Sequence, residues 1–549
     1  MIGLSALAVR ASLWAPRRRW HQVEKMTMDP ARAQQLALHN ILHANRTGRF
    51  GVEHGFDRIA DPRGLEDRVP VQTYETLRPY IEEQRTRGTK ALTAEAPEFY
   101  AQTSGTTGQP KYIPISRSML AMQRAEQRLF TYLQFKACPE AFAGKALGIM
   151  GAAVEARLDS GHAVGSVSGH LYASLPRIVR SRFVVPPEVL AIGDYQRKYL
   201  VILRLALAEP DVTYMGTPNP STFLRLLEVL EAFRDPLLDS LESGTLDGLG
   251  EIDPEIGRAL GRRLRPNVDR ARALRRERRL TFASVWPSLR LVTTWTGGSC
   301  GVALGALRET LPAGARVMEL GYQSSECRGT IALTPETPEG LPPFHHHFME
   351  FAEPDKWDRG DREIVLLADL ELGKRYYVLF TTVAGLYRYF INDVVEVCGF
   401  LNRTPLLRFV QKGKGVTSLT GEKLYEAQTI QAVSEVFALH ELTPRFFVMV
   451  ADEHTLSYTL FVEASDRRPD CGAVSLAIDR RLGELNMEYA AKRGSGRLGA
   501  LTLSWLRPGA SESYKAASVR AGQREIQFKP PVLQYRKDLA AGFEEHIDR

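Results

Sequence analysis

The sequence predicts an α/β protein: a large N-terminal domain with several packed sheets, followed by a small mobile α+β domain at the C-terminus. Three observations carry this expectation. The chain has 549 residues, too many for one ordinary hydrophobic core, so two or more domains are expected. From about 95 to 335, short apolar runs alternate with helical periodicity, as in α/β arrangements. After the polar, glycine-bearing run Arg408-Phe409-Val410-Gln411-Lys412-Gly413-Lys414-Gly415, suited to a hinge, the pattern restarts as strand, strand, helix, strand and short helix. That order has the character of a split β-α-β unit.

Composition narrows the class. Hydrophobic residues make up 44% and charged residues 25% of the chain, values typical of a soluble globular protein. The formal net charge is +7. More than half of it lies in the first 25 residues, where Arg10, Arg17, Arg18, Arg19 and Lys25 face only Glu24. The remainder is nearly balanced, so neither nucleic acid nor a membrane is expected as a partner. Residues 1–27 read as a disordered leader or an over-extended start, with Met26 or Met28 as alternatives. Their basic cluster follows the apolar run, against the order of a signal peptide, while the arginine-rich, acid-poor composition leaves a transit peptide open. The apolar stretch 199–208 is broken by Arg204, too short to span a bilayer. Five scattered cysteines without a Cys-x-x-Cys pair point to a reducing compartment, here the cytoplasm, and away from structural zinc. The sequence does not specify an oligomeric state, and a monomer is the default.

The elements follow in order. Residues 28–90 read as helices and loops, with Thr73 placed to cap a helix and Glu75 in its first turn. Strands are expected at 98–101 and 111–115, and Ser116 caps a helix reaching about Phe135. Further strands are expected at 147–151, 289–294 and 316–320. Residues 258–279 carry ten arginines, but Leu260, Leu264, Val268, Ala271 and Leu274 recur at helical spacing around Pro266. A solvated amphipathic helix pair is therefore expected, not a nucleic-acid patch. His345-His346-His347 would alternate across a strand and so cannot all reach one metal ion. Runs at 364–367, 376–382 and 386–390 predict an antiparallel sheet. The large domain is expected to span 28–410 and the small one 411–549, with strands at 445–451, 457–464 and 501–506 and a helix over 473–492.

Four clusters carry chemistry. Thr103-Ser104-Gly105-Thr106-Thr107-Gly108-Gln109-Pro110-Lys111 packs hydroxyls, glycines and a lysine into one loop between two strands. Its amides can form an anion nest and its hydroxyls can donate to phosphate oxygens. It is not a Walker A loop, because no Gly-Lys-Ser/Thr follows Gly105 at the required spacing. Thr296-Gly297-Gly298-Ser299 ends a strand and would bring bare backbone close to a flat ligand. Tyr322-Gln323-Ser324-Ser325-Glu326 offers an aromatic face for a base and a carboxylate for Mg²⁺. Tyr387-Arg388-Tyr389-Phe390-Ile391-Asn392-Asp393 presents an acid able to accept both ribose hydroxyls, each charged bond contributing about 1.5 to 3 kcal/mol.

In this order, these motifs resemble the adenylate-forming superfamily of acyl-CoA synthetases and luciferases. Within it the chain is most similar to the plant auxin-responsive (Gretchen Hagen) acyl acid amido synthetases. The resemblance rests on Pro70 to Tyr80, Tyr322 to Glu326, the run from Gly385 through Arg408-Phe409-Val410 to Gly421-Glu422-Lys423, and Gln527-Phe528-Lys529-Pro530-Pro531. It covers nearly everything from about residue 28 onward. It implies that a small carboxylic acid attacks the α-phosphate of ATP, releasing pyrophosphate, and that an amine, such as an amino acid, opens the acyl-adenylate to an amide. Thr103, Ser104, Gly105, Thr106, Thr107, Gly108 and Lys111 would hold phosphates, with Gly298, Tyr322, Ser325 and Arg408 also around the nucleotide. Glu326 would hold Mg²⁺ and Asp393 the ribose. Lys529 would be carried in by the small domain, with Lys423 as the alternative. Where the family has glycine before the ribose aspartate this chain has Asn392, a residue that tolerates left-handed backbone. A coenzyme A ligase on the same fold and a non-catalytic binder of nucleotide or acyl acid stay open.

Overall fold

A computed structural model describes residues 14–103, 111–261, 263–413, 415–417, 419–420, 422–464, 468–494, 498–520, 528–539 and 543–548. Residues 1–13 of the expected leader lie outside the described residues, and only its second half departs from the expected disorder. Residues Trp14–Met26 form helix α1, which packs on a long helix of the body through Trp20 and Val23, 4% and 0% exposed. These two residues lie three apart on one helical face, while Arg17, Arg18 and Arg19 are left facing water.

Helix α2, Tyr74–Arg87, starts at Thr73, whose hydroxyl accepts from the Thr76 amide in a reciprocal capping box. Strands β1, Pro97–Thr103, and β2, Lys111–Ser116, pair antiparallel with Thr103 opposite Lys111, so the hydroxyl-rich loop is the connection of a hairpin. Ser116 then caps α3, Arg117–Ala137. Strands β3, Lys145–Gly148, and β4, Val212–Gly216, start a fully parallel sheet. Helix α4, Pro220–Ala232, is capped by Asn219 with proline at its first position. Strands β5, Leu291–Thr294, and β6, Arg316–Glu319, complete the order β3-β4-β5-β6. The interior of this sheet is aliphatic, as parallel strands covered on both faces require.

The arginine-rich segment forms the expected pair of helices, Pro254–Gly261 and Val268–Arg276. Leu260, Ala271 and Leu274 are buried, although Val268 is exposed.

A seven-stranded sheet follows. Its centre is β7, Phe348–Ala352, β8, Arg375–Thr381, β9, Tyr389–Leu401, and β10, Thr404–Lys412, joined antiparallel in that order. Two expectations change here. Of the run at 386–390 only Tyr389 and Phe390 are strand; before them the chain is irregular, with Gly385 and Arg388 at positive φ and Arg388 turned inward to Glu350 at 2.8 Å and to the Val69 carbonyl at 3.0 Å. The polar run from Arg408 is strand as far as Lys412, held by the ladder to β9. Gly413 is then pressed against β8 and β9: a Cβ there would fall 2.3 Å from the Tyr377 ring and 2.5 Å from Asn392 Oδ1.

The C-terminal portion contains α5, Glu426–Leu439, β11, Pro444–Asp452, β12, Ser457–Ala464, β13, Thr502–Trp505, and β14, Leu533–Tyr535. These strands lie in the order β13-β12-β11-β14. The helix expected over 473–492 is two helices, Cys471–Leu485 and Met487–Gly494. The break is at Asn486, whose amide donates to the carbonyls of Glu422 and Lys423. Among the described residues, no helix is long and apolar enough to cross a membrane.

Candidate active site

The carboxyl ends of β4, β5 and β6 lie side by side, the edge where open parallel sheets bind ligands. From β4 comes Asn219, from β5 the turn Trp295-Thr296-Gly297-Gly298, and from β6 Glu319 and Tyr322. Glu319 pins two of these ends together. One of its oxygens accepts the Thr296 amide at 2.6 Å and hydroxyl at 2.5 Å, and the other accepts the Gly321 amide at 3.0 Å. Burial still raises its pKa, outweighing those bonds. A cleft of about 420 Å³ opens at this edge, lined by Trp295, Gly297, Cys300, Glu319, Tyr322, Gln323, Pro338, Phe409 and Lys529.

The expected glycine turn is present, and its conformation has an identifiable cause. Gly298 has φ +57°, and a Cβ there would meet Phe409 Cε1 at 3.1 Å. Strand β10 therefore occupies much of the space the glycine leaves. Tyr322 presents an edge to the cleft, not an open face. It is 7% exposed, stacks on Phe409 with centroids 5.4 Å apart, and leaves no room for a Cβ on Gly329, which would fall 2.1 Å from its ring. The flat surfaces facing Lys529 are those of Trp295 and Phe409.

Asp393 lies in β9 and is 2% exposed. The Tyr322 hydroxyl donates to its Oδ2 at 2.6 Å. The Tyr322 pKa is driven well above its ordinary value, first by burial and then by the Asp393 charge. The preceding Asn392 has φ +61°, so the asparagine adopts the left-handed turn that glycine would make. Glu326 and Ser325 are also buried. The Glu326 charge, like that of Asp393, helps to raise the pKa of both Tyr322 and Tyr389. It has no ion-pair partner among the described residues. One carboxylate that leaves other positions to phosphate and water fits Mg²⁺; the described residues contain no cluster of three or more metal-ligating side chains.

The hairpin ends nearby. Lys111 Nζ lies 5.4 Å from the centre of the Tyr74 ring. Residues 72 and 390 tie α2 to β9, the Phe390 amide donating to the Gln72 carbonyl at 2.8 Å. Thr103 ends β1 opposite Lys111, while Ser104, Gly105, Thr106, Thr107 and Gly108 lie outside the described residues.

The two candidate lysines separate. Lys529 Nζ sits 4.5 Å from the Trp295 ring centre and 5.0 Å from that of Phe409, within the field of Glu319 and Glu426. Lys423 is exposed, at φ +43°, and does not line the cleft. Arg408 is likewise not brought in. It neighbours Phe409 on β10, and strand alternation turns it to the opposite face, where Nη2 donates to Glu396 at 2.8 Å.

Sequence reasoning missed Asn219, Trp295, Glu319 and Phe409. Asn219-Pro220 after an apolar strand is a readable helix start; Trp295 and Glu319 carry no motif, and Phe409 stands in the run Arg408-Phe409-Val410 without being singled out as a site residue. The histidine run serves the body of the protein: His346 Nδ1 is 2.9 Å from buried Glu126.

Taken together, the parallel-sheet edge, the buried aspartate and tyrosine, and the lysine delivered from the C-terminal portion define an adenylate-forming type of fold. The chain matches a solved acyl acid amido synthetase, GH3.15, with a TM-score of 0.86 and 23% identity over 97% of this chain and 96% of that one. It also matches 2-hydroxyisobutyryl-CoA ligase in the postadenylation state, with a TM-score of 0.56 and 14% identity over 96% and 92% of the two chains.

This chain belongs to the GH3 family: the family's N-terminal domain matches residues 19–313, its central domain 341–412 and its C-terminal domain 427–538. Among its relatives is the indole-3-acetic acid-amido synthetase GH3.8 of Oryza sativa subsp. indica, 25% identical and covering 93% of this chain and 89% of its own length.

Proposed function

We infer that this protein is an acyl acid amido synthetase: it adenylates a small carboxylic acid with ATP and transfers the acyl group to an amine, in our reading an amino acid. The observation that carries this reading is Lys529, held in the same cleft as Glu319 and Tyr322, with Tyr322 bonded to Asp393. Family membership favours amide over thioester formation.

In this reading Asp393 accepts the ribose hydroxyls, and Trp295 and Phe409 supply the flat walls against which the nucleotide lies. The hairpin from Thr103 to Lys111 takes the triphosphate through its amides and hydroxyls. Glu326 would hold Mg²⁺, which when bound neutralises charge on the phosphates. Lys529 places a compact positive charge where the α-phosphate gains negative charge during attack by the carboxylate. Adenylyl transfer needs positioned charge more than covalent help, and every group named supplies charge, a dipole or orientation. We place the division between large and small domains at about residue 411, so that Lys529 can leave once the adenylate has formed and an amine can approach its carbonyl carbon.

The test offers ATP, Mg²⁺, a panel of carboxylic acids, the common amino acids and coenzyme A together, with products identified by mass spectrometry. N-acyl amino acids are expected. Acyl-CoA as the sole product would replace this reading with the ligase alternative.

A further inference from the structure

Lys529 reaches the cleft from a segment with a fixed seat, and one end of that seat lies on the large parallel sheet. The Asn219 side chain has two bonds. Its Oδ1 accepts the Ser221 amide at 2.9 Å, capping α4, and its Nδ2 donates to the Phe528 carbonyl at 2.5 Å. The cap fixes the amide orientation, because only oxygen can accept from Ser221. The donor is thereby aimed at the residue immediately before Lys529. On the other side, Glu426 Oε1 accepts the Val532 amide at 3.1 Å. The lysine segment is thus gripped from the large sheet at Phe528 and from the C-terminal portion at Val532.

Helix α4 meets the C-terminal portion along its length. Glu228 accepts from Arg445 on β11 at 2.8 Å, and Arg225 lies 3.6 Å from Glu512. Between these contacts runs a cleft of about 620 Å³ that Cys300, Phe528 and Pro530 also line. The helix that Asn219 starts therefore registers the two parts of the molecule, and its cap registers the lysine.

We propose that Asn219 is a positioning residue that seats Lys529 for the adenylation half-reaction and has no part in amide formation. This rests on the assignment of Lys529 to adenylation. When the C-terminal portion turns to admit the amine, the bond to the Phe528 carbonyl is broken, so Asn219 can influence only the first step.

The test uses Asn219→Ser and Asn219→Asp, both of which keep a capping oxygen and remove the amide donor. Pyrophosphate exchange at saturating ATP should fall at least 10-fold in each, an effect on rate with nucleotide affinity unchanged, as expected for a lost positioning contact in a pre-set site. Aminolysis of the synthetic adenylate of an acid accepted by the unmodified enzyme, supplied with mixed amino acids, should stay within about two-fold. Unchanged exchange, or an equal fall in both half-reactions, would overturn the proposal. Lys529→Ala separates the two levels of inference. If it too leaves exchange intact, the assignment of Lys529 fails; if it abolishes exchange while Asn219→Ser does not, only the role of Asn219 fails.

Discussion

The floor of the cleft and the lysine that closes it are held in place by different means. Asp393 is fixed inside a sheet, its strand β9 paired on both sides, with Tyr322 bonded to it and stacked on Phe409. Removing it from position means breaking a ladder. Lys529 is held by the bond between Phe528 and Asn219 and by two ring contacts. A neutral hydrogen bond contributes about 0.5 to 1.5 kcal/mol and a cation–π contact about 0.5 to 2 kcal/mol. Lys529 itself is thus tied to the large sheet by contacts of this size, whereas displacing Asp393 would disrupt a ladder. The proposed two-step reaction needs this asymmetry: Asp393 would anchor the nucleotide through both steps, and the Lys529 charge would be withdrawn between them.

Three perturbations break or sharpen the contrast. The largest effect is expected from Lys529→Ala, which removes the mobile charge alone. Acid-dependent pyrophosphate exchange should drop on the order of 100-fold or more, with nucleotide binding by calorimetry little changed, since a lost transition-state donor costs rate, not affinity. Asp393→Ala should show the opposite profile. ATP affinity should weaken by roughly 30-fold, about 2 kcal/mol for a charged hydrogen bond, and both half-reactions should suffer because the anchor serves both. A loss confined to exchange, with aminolysis and ATP affinity unchanged, would mean that Asp393 acts as a mobile group does.

The smallest effect concerns the floor's foundation and is a matter of stability. His347 precedes β7, and burial lowers its pKa to about 4, against the opposing pull of Glu126. Below about pH 6.5 the unfolded chain takes up a proton that the folded chain refuses, so stability should decline as pH falls from about 6.5 to 4. Glu126, held below its ordinary range by His346, His347 and Arg328 despite its burial, adds to the loss at the acid end. Thermal unfolding across that interval should show a falling midpoint in the native protein and a shallower fall in His347→Gln. An equal slope in both would remove His347 from this account.

The same asymmetry explains what the sequence made legible. Hairpin β1–β2, the capped helices α2 and α3 and the antiparallel strands after residue 362 follow from local periodicity and caps, which a single chain displays directly. Tyr322, Glu326 and Asp393, which the structure brings close to one another, could be picked out because loop chemistry is concentrated in short runs. Glu319, Trp295 and Phe409 escaped notice because their importance comes from three strand ends meeting, which no local pattern records. Arg408 misled for the complementary reason: it stands beside Phe409 in sequence, but strand alternation turns it away. Helix α1 was not legible because two apolar residues three apart, Trp20 and Val23, are a weak signal beside four basic neighbours, yet they are enough to bury one face of it.

The measurement that bears most directly on the central claim is ATP–pyrophosphate exchange with a panel of carboxylic acids. Label from pyrophosphate should enter ATP only when an acid is present, with some acids preferred, and Lys529→Ala should remove the signal. A folded protein that binds ATP but exchanges no label with any acid would contradict it.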